Sequence, residues 1–289
     1  MNKLIKKAFT LIELLFVIAI IGILSGLIVV SMGGVTEKAN IAKLQIFSNS
    51  IKNSIMIDLT SEWRLEGNAN DTWGVNDGSL AGTPVILTSG CVRDSCVELD
   101  SNDDYLNMGS DSSLNFFNDY TIEMFVYNGA SSVTYPTLFN RAGQSGTNGF
   151  FWTYTGGTEG QHIYYQYSNG SAYTSVSFAN ALPKNQWTHL VFTFTNSDKS
   201  LRLYVNGSYF ATRTLTTALP VDDGVLYFGS YSSNPTIYWF KGRMDEIRWY
   251  HAVMPAYVIK KHYYLALNGM LALGEITKKE YSNLIYDRD

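Results

Sequence analysis

The stretch that most constrains this chain is residues 9–32, FTLIELLFVIAIIGILSGLIVVSM, a nearly unbroken apolar run with one carboxylate, Glu13, close to its start. From Leu14 to Val30 only Ser25 is polar. At about 1.5 Å per residue a continuous helix over this run reaches roughly 36 Å, enough to cross a bilayer. A charged group at membrane depth costs on the order of 2.5–3.5 kcal/mol on insertion scales, so Glu13 requires a partner that a plain anchor does not supply. Lys3, Lys6 and Lys7 precede the run. The positive-inside bias keeps them in the cytoplasm and sends the C-terminal bulk outward. The expected placement is a single pass through the cytoplasmic (inner) membrane with an extracytoplasmic C-terminal domain.

Ala8, Phe9, Thr10, Leu11, Ile12 and Glu13, set between a short basic leader and the apolar helix, resemble the class III signal of type IV pilins and pseudopilins. The resemblance implies that a prepilin peptidase cuts after Ala8 and methylates the new amine of Phe9. It also implies that Glu13 neutralises the amine of a neighbouring subunit. Ala8 stands where the family usually has Gly, and the family's helix-kinking Pro is missing near Val30. Gly33 and Gly34 offer a place for the helix to loosen, since each Gly costs about 1 kcal/mol against Ala. The plainer alternative is an uncleaved signal anchor or a secretory signal peptide. A secretory peptide places its small-residue junction after the apolar core, whereas here the junction precedes it.

Residues 37–58, EKANIAKLQIFSNSIKNSIMID, place Ile41, Leu44, Phe47, Ile51 and Ile55 three or four apart, the stripe of an amphipathic continuation of the same helix. From about Ser61 the texture changes to short alternating runs: YTIEMFVY at 120–127, WTHLVFTFT at 187–195, and LRLYV at 201–205 followed by Asn206-Gly207. Period-two alternation punctuated by Asn-Gly predicts antiparallel hairpins, and many such runs without long helices between them predict a jelly-roll sandwich. Helix returns from Tyr257, and Thr277 with Glu280 predicts a capping box for a last short helix. The expected fold class is α+β, with this division: leader 1–8, spine helix 9–59, jelly roll 60–267 and helical tail 268–289.

Five blocks occur in order: Trp63-Arg64-Leu65-Glu66-Gly67 with Asp71 and Gly78; Val97-Glu98-Leu99-Asp100 before Asp104-Tyr105-Leu106; Trp187-Thr188-His189-Leu190; Leu203-Tyr204-Val205-Asn206-Gly207; and Gly242-Arg243-Met244-Asp245-Glu246-Ile247-Arg248. Together, over about residues 62–267, they resemble the laminin-G-like jelly roll of the concanavalin A-like lectin and glucanase superfamily. Relatives of that fold often carry Ca²⁺, which takes six to eight oxygens. The resemblance makes Asp71, Glu66 and Asp245 the candidate ligands, the alternative for Asp245 being a strand-end ion pair or cap. Trp152 with Tyr154, and Tyr165 with Tyr167, alternate onto strand faces amid Gln161, Gln166, Ser168 and Asn169. Such strips suit a sugar-stacking groove, and the alternative is core packing.

Cys91 and Cys96 flank four residues, and in an oxidising compartment they are expected to form a local disulfide. Reduced thiols are the alternative, and no further Cys or close His pair completes a tetrahedral metal set. Glu98, Asp100 and Asp103 form Glu-x-Asp-x-x-Asp, a near miss to the glucanase pattern Glu-x-Asp-x-x-Glu, whose acids lie about 5–5.5 Å apart in retaining enzymes. Asp100 begins the turn Ser101-Asn102-Asp103-Asp104, where Asp and Asn side chains bond the local backbone. No Gly-x-Ser-x-Gly elbow, phosphate loop or metalloprotease helix occurs, so an enzyme is not expected. The net charge is −4, and loss of the leader's three lysines leaves 18 basic against 25 acidic residues, which argues against nucleic acid as a partner. The function expected is a type IV pilus-like structural subunit with an outward lectin-like head that recognises glycans or surface proteins. Its partners would be other pilin subunits, the prepilin peptidase and the inner membrane before assembly, on an extracellular pilus or a periplasmic pseudopilus. The alternatives are a pseudopilin of a type II secretion system and, last, an anchored glycan-acting enzyme.

Overall fold

A computed structural model describes residues 11–23, 58–116, 118–129, 135–142, 151–156, 161–168, 173–217, 224–231 and 238–286. The chain divides into two compact units, residues 1–56 and 57–289. In the first, helix α1 covers 11–23 and exposes every residue. Its 13 residues extend about 20 Å, short of the roughly 30 Å hydrocarbon core of a bilayer. Among the described residues no helix is long and apolar enough to cross a membrane. This corrects the expected transmembrane segment, and the single-pass inner-membrane placement falls with it. The α+β class is corrected as well: the described fold is an all-β sandwich flanked by short helices, without a long N-terminal helix. Hydropathy counts apolar residues and does not report helix continuity, and Gly22, a poor helix former, already lies in the last described turn of α1. The rest of the expected spine, 24–57, with its amphipathic stripe, lies outside the described residues.

The second unit is a sandwich of two antiparallel sheets. In chain order the strands are β1 (Leu59–Trp63), β2 (Ser79–Ala81), β3 (Val85–Leu87), β4 (Cys96–Leu99), β5 (Tyr105–Asn107), β6 (Tyr120–Asn128), β7 (Thr137–Ala142), β8 (Phe151–Gly156), β9 (His162–Ser168), β10 (Tyr173–Phe178), β11 (Trp187–Thr195), β12 (Ser200–Val205), β13 (Ser208–Thr214), β14 (Val225–Phe228) and β15 (Gly242–Tyr250). The eight-stranded sheet runs β13-β12-β11-β6-β15-β4-β3, with β1 also on β15. The seven-stranded sheet runs β10-β9-β8-β7-β14-β5-β2. Alternation fills the core between them: Ile122, Met124 and Val126 of β6 and Leu190, Phe192 and Phe194 of β11 meet Phe139, Ile163, Tyr165 and Phe228 from the opposite sheet. Trp63 sits at zero exposure and donates its indole N–H to the Asn76 carbonyl at 2.7 Å.

β15 pairs with β4 through Gly242–Met244 and with β1 through Ile247–Tyr250. The changeover falls at a register shift between Asp245 and Arg248, where Glu246 takes φ 49°. This bulge bends the strand and re-aims three charged side chains. The β12–β13 hairpin turns on Asn206 (φ 51°) and Gly207 (φ 77°), two successive left-handed residues as the tightest hairpin turns require.

Two helices follow β15. α2 (Ala256–Leu273) turns Val258, Ile259, Tyr263, Leu267 and Met270 inward and ends on Gly274 in the left-handed conformation. Tyr263, Leu267 and Met270 pack with Phe125 of β6 and with Val92, so α2 lies on the outer face of the eight-stranded sheet. α3 (Lys278–Tyr286) opens on a reciprocal capping box: the Thr277 N–H donates to Glu280 Oε2 at 2.7 Å and the Glu280 N–H to Thr277 Oγ1 at 3.2 Å. α2 itself runs through position 267, where a boundary was expected. Cys91 and Cys96 are joined, with Cα atoms 5.5 Å apart. Their loop reaches the tail, the Gly90 N–H donating to Glu275 Oε2 at 2.8 Å.

A Cβ on Gly207 would stand 2.9 Å from Tyr263 Cβ and 3.2 Å from Lys260 Cα, so α2 needs glycine at this turn in addition to the left-handed φ. Gly207→Ala is expected to lower stability by about 1–3 kcal/mol in urea unfolding, while Ser208→Ala at the neighbouring strand position leaves it nearly unchanged.

Candidate functional site

The outer face of the eight-stranded sheet is covered by α2 around Phe125 of β6. Glu123 of β6 has no solvent exposure, and it meets His189 Nε2 at 2.8 Å, His262 Nδ1 of α2 at 2.9 Å, Arg248 Nη1 at 3.7 Å and the Tyr250 hydroxyl at 3.5 Å. Burial by itself raises its carboxyl pKa. His262, His189 and Arg248 together overcome that and hold it well below the usual carboxylate range. Arg248 also pairs with Glu62 at 2.8 Å and with Glu246. This network ties the strands to the helix.

The outer face of the seven-stranded sheet is built differently. Trp152 and Tyr154 lie on it, and β8–β9 register sets Trp152 opposite Gln166 and Tyr154 opposite Tyr164. β9–β10 register continues the rows to Ser175 and Ser177. On the other side Trp152 faces Asn140, and its indole N–H donates to Thr137 Oγ1 at 2.9 Å. Tyr231 stands edge-on to the Trp152 ring at 4.9 Å, with Tyr238 at 5.0 Å and Tyr135 at 6.2 Å, while Tyr154 stacks on Tyr164 at 5.1 Å. Trp152 keeps 8% of its surface and Tyr154 9%, whereas Tyr135 keeps 42% and Tyr173 51%. Trp152 is therefore the floor of an aromatic cluster whose open rings are Tyr135, Tyr164 and Tyr173. Burial first, then the neighbouring Tyr135 and Tyr164 hydroxyls, raises the Tyr154 pKa, so this phenol stays protonated. Neutral rings beside amide and hydroxyl groups can stack on an apolar ligand face and hydrogen-bond its rim.

Of the four aromatics expected to hold a sugar, Trp152 and Tyr154 come together on this face. Tyr165 and Tyr167 point into the core at 0% and 1% exposure, Tyr165 bonding hydroxyl to hydroxyl with Tyr120. In HIYYQYS tyrosines occupy both phases of the strand, and Ile163 marks the inward one. The outward set is His162, Tyr164 and Gln166. Tyr135, Tyr231 and Tyr238 were missed because they lie outside the alternating runs and reach the cluster only through the fold.

Of the expected calcium ligands, Glu66 and Asp245 lie close enough to act on each other's charge, while Asp71 is engaged by its own loop. Asp71 Oδ1 accepts from the backbone N–H groups of Glu62, Trp73 and Gly74 at 2.8–3.0 Å, and Oδ2 from that of Asn76 at 3.0 Å. Burial would raise its pKa, but these donors lower it and commit the carboxylate to its own loop. Asp245 Oδ2 accepts from the Val92 and Arg93 N–H groups at 2.9 and 3.0 Å, which fastens the disulfide loop to β15. Burial, with the charges of Glu246 and Glu66, pushes Asp245 up to about 8, and burial likewise raises Glu66. Among the described residues no group of three or more His, Cys, Asp or Glu is disposed to hold a metal ion. Of the near-miss glucanase acids, Glu98 pairs with Arg243 at 3.0 Å and Asp103 Oδ1 accepts from the Ser101 hydroxyl at 2.5 Å, within a turn over 100–104 that Asp104 closes by accepting from the N–H groups of Asp100 and Ser101. Glu13 lies on α1, whereas Ala8 and Phe9 fall outside the described residues.

The fold and this site define a lectin-type sandwich. The family model described as the concanavalin A-like lectin/glucanases superfamily matches residues 100–260, more than half of the chain, and the protein belongs to that superfamily. A second model, the prokaryotic N-terminal methylation motif, matches residues 5–29. No curated protein sequence matches the chain. Among solved structures, the binding domain of Paraclostridial mosquitocidal protein 1 is similar at TM-score 0.59 and 13% identity, over 74% of this chain and 53% of that one. Domain 4 of AbnA, a GH43 extracellular arabinanase from Geobacillus stearothermophilus, in complex with arabinotriose, is similar at TM-score 0.55 and 18% identity, over 71% of this chain and 97% of that one. A botulinum neurotoxin type C structure, whose cell entry depends on two ganglioside molecules, is similar at TM-score 0.57 and 12% identity, over 74% and 52%. This chain spans about half the length of the toxin domains. At these identities the likeness is one of fold.

The raised Asp245 pKa has a definite sign in stability. The protonated folded form is full strength below the unfolded value of 3.8, and its contribution is lost progressively as pH rises to about 8. Glu62, held near 2 although burial opposes this, because Arg248 and Thr72 bind its carboxylate, acts oppositely and loses its contribution as pH falls from 4.5 to about 2. Thermal melts of Asp245→Asn are expected to lack the decline in Tm that the wild type shows between pH 5 and 8.

Proposed function

We propose that this chain is a subunit of a type IV pilus-like filament whose lectin-type sandwich binds carbohydrate on the outer face of the seven-stranded sheet. The observation that carries the binding role is the Trp152 cluster, an aromatic surface fringed by Gln166, Ser175 and Ser177 on the sheet opposite to the one that α2 covers. Sugar rings present apolar C–H faces and a polar hydroxyl rim, the complement of such a surface. The arabinotriose complex of the AbnA domain and the ganglioside dependence of botulinum neurotoxin type C support a sugar ligand on this architecture.

The filament role rests on the methylation motif over residues 5–29. In this reading the cut falls after Ala8, Phe9 carries the methylated amine, and the Glu13 carboxylate neutralises that amine in the neighbouring subunit. A buried or crowded amine–carboxylate pair is strongly weakened by removing one partner, because the other charge is left uncompensated.

Mass spectrometry of material sheared from cells is expected to give an N-methylated Phe9 terminus, and recovery of an intact Met1 terminus alone would overturn the filament role. Glu13→Ala is expected to abolish filaments while the sandwich keeps its wild-type melting curve. Tyr135→Ala and Tyr164→Ala are each expected to weaken glycan binding by roughly two- to tenfold, the scale of one lost ring contact, as read by titration calorimetry.

A further inference from the structure

Charge is divided unequally between the two sheets, and from that division we infer, resting on the sugar-binding reading above, that the ligand of the seven-stranded face is a neutral oligosaccharide. The seven strands of that sheet carry one permanently charged side chain, Arg141. It is fully buried and turned away from the Trp152 face, with Nη2 donating to Asn115 Oδ1 at 2.8 Å and to the Asp111 carbonyl at 3.2 Å. The eight-stranded sheet, by contrast, holds Glu62, Glu98, Glu123, Asp245, Glu246 and the arginines that pair with them.

Arg213 of β13 borders the β10 edge of this sheet, where its Nε–H donates to the Ser177 carbonyl at 2.8 Å, its Nη1 to the Thr212 carbonyl at 2.9 Å and its guanidinium lies over the Phe178 ring, so it is engaged there. No Lys or Arg occurs between Arg141 and Lys184, the span that contains β8, β9 and β10, nor between Arg213 and Lys241, the span that contains β14, Tyr231 and Tyr238. The acids in those two spans are Glu159, Asp222 and Asp223. A sialylated, sulfated or uronate glycan is gripped through its anion by Arg or Lys, whose charge-assisted bonds offset the anion's desolvation. With the bordering Arg213 already held by backbone carbonyls and the Phe178 ring, the anion loses water and gains little counter-charge, so such a ligand is selected against. A neutral sugar asks only for ring faces and for uncharged donors and acceptors. The register supplies both in two adjacent rows, Trp152–Gln166–Ser175 and Tyr154–Tyr164–Ser177.

The test is titration of the purified full chain with arabinotriose, lactose and 3′-sialyllactose at low and high NaCl. At least one neutral sugar is expected to bind with a Kd that changes less than about twofold between 0.05 and 1 M salt, since no ion pair is there to be screened. Sialyllactose is expected to bind no tighter than lactose. Ser175→Lys, which places a cation on the exposed end of one row, is expected to raise the ratio of sialyllactose to lactose affinity severalfold. Sialyllactose binding tenfold tighter than lactose in the wild type, with a Kd that weakens steeply in salt, would overturn the neutral-ligand inference and leave the sugar-binding reading standing. Binding of no sugar in the panel, or neutral binding that survives Tyr164→Ala unchanged, would overturn both.

Discussion

Glu123 stands in the middle of the eight-stranded sheet with no exposure, and a carboxylate in that position must be compensated by its neighbours. Taking one charge out of water costs several kcal/mol, and removing a partner from a buried pair typically costs about 3–5 kcal/mol. The partners come from separate parts of the chain: His189 from β11, Arg248 and Tyr250 from β15, and His262 from α2. Arg248 carries the network on to Glu62 of β1, so the first and last strands are joined through the same charges. Helix α2 has to lie on this sheet, because one wall of the carboxylate's cage is its own histidine. Gly207 lets it approach, and the Cys91–Cys96 loop closes over its far end through Val92 and Glu275.

That arrangement bears on where the proposed ligand would sit. With one outer face given to ion pairs and helix, the other sheet is left with aromatic rings, amides and hydroxyls. The β15 bulge contributes to the division, since its irregular backbone turns Asp245, Glu246 and Arg248 toward the disulfide loop and the Glu62–Glu123 network. The proposed binding face and the structural face are thereby kept apart.

Much of this was legible in the residues. The hairpin at Asn206-Gly207, the strands over 120–128 and 187–195, the 91–96 disulfide and the Thr277–Glu280 box each follow from local chemistry that needs no distant partner. What the sequence concealed depends on phase and on long-range contact. Tyr164, Tyr165 and Tyr167 differ in face only by strand parity, which Ile163 sets through the core. The four backbone N–H groups that Asp71 gathers onto its oxygens become visible only once its loop folds. The apolar run after Phe9 measures hydropathy, and helix length is a separate quantity governed by hydrogen bonding and by residues such as Gly22. Charge segregation was also present in the sequence, but it acquired meaning only when the strands were sorted into two sheets.

The proposed binding face also separates rigidity from contact. Trp152 is nearly buried, its indole N–H is fixed on Thr137, and Tyr231 and Tyr238 pack against its ring. A side chain held this way loses little further freedom when a ligand arrives. The rings left open, Tyr135, Tyr164 and Tyr173, rest on or beside that floor and have only two side-chain torsions each to order. Sugars bring few strong contacts per ring, so their affinity is limited by the ordering cost on both sides of the interface. A face whose aromatic floor is ordered before binding lowers that cost on the protein's side, and the small polar residues at its edge, Ser175 and Ser177, add hydrogen-bonding groups with little rotamer entropy to lose.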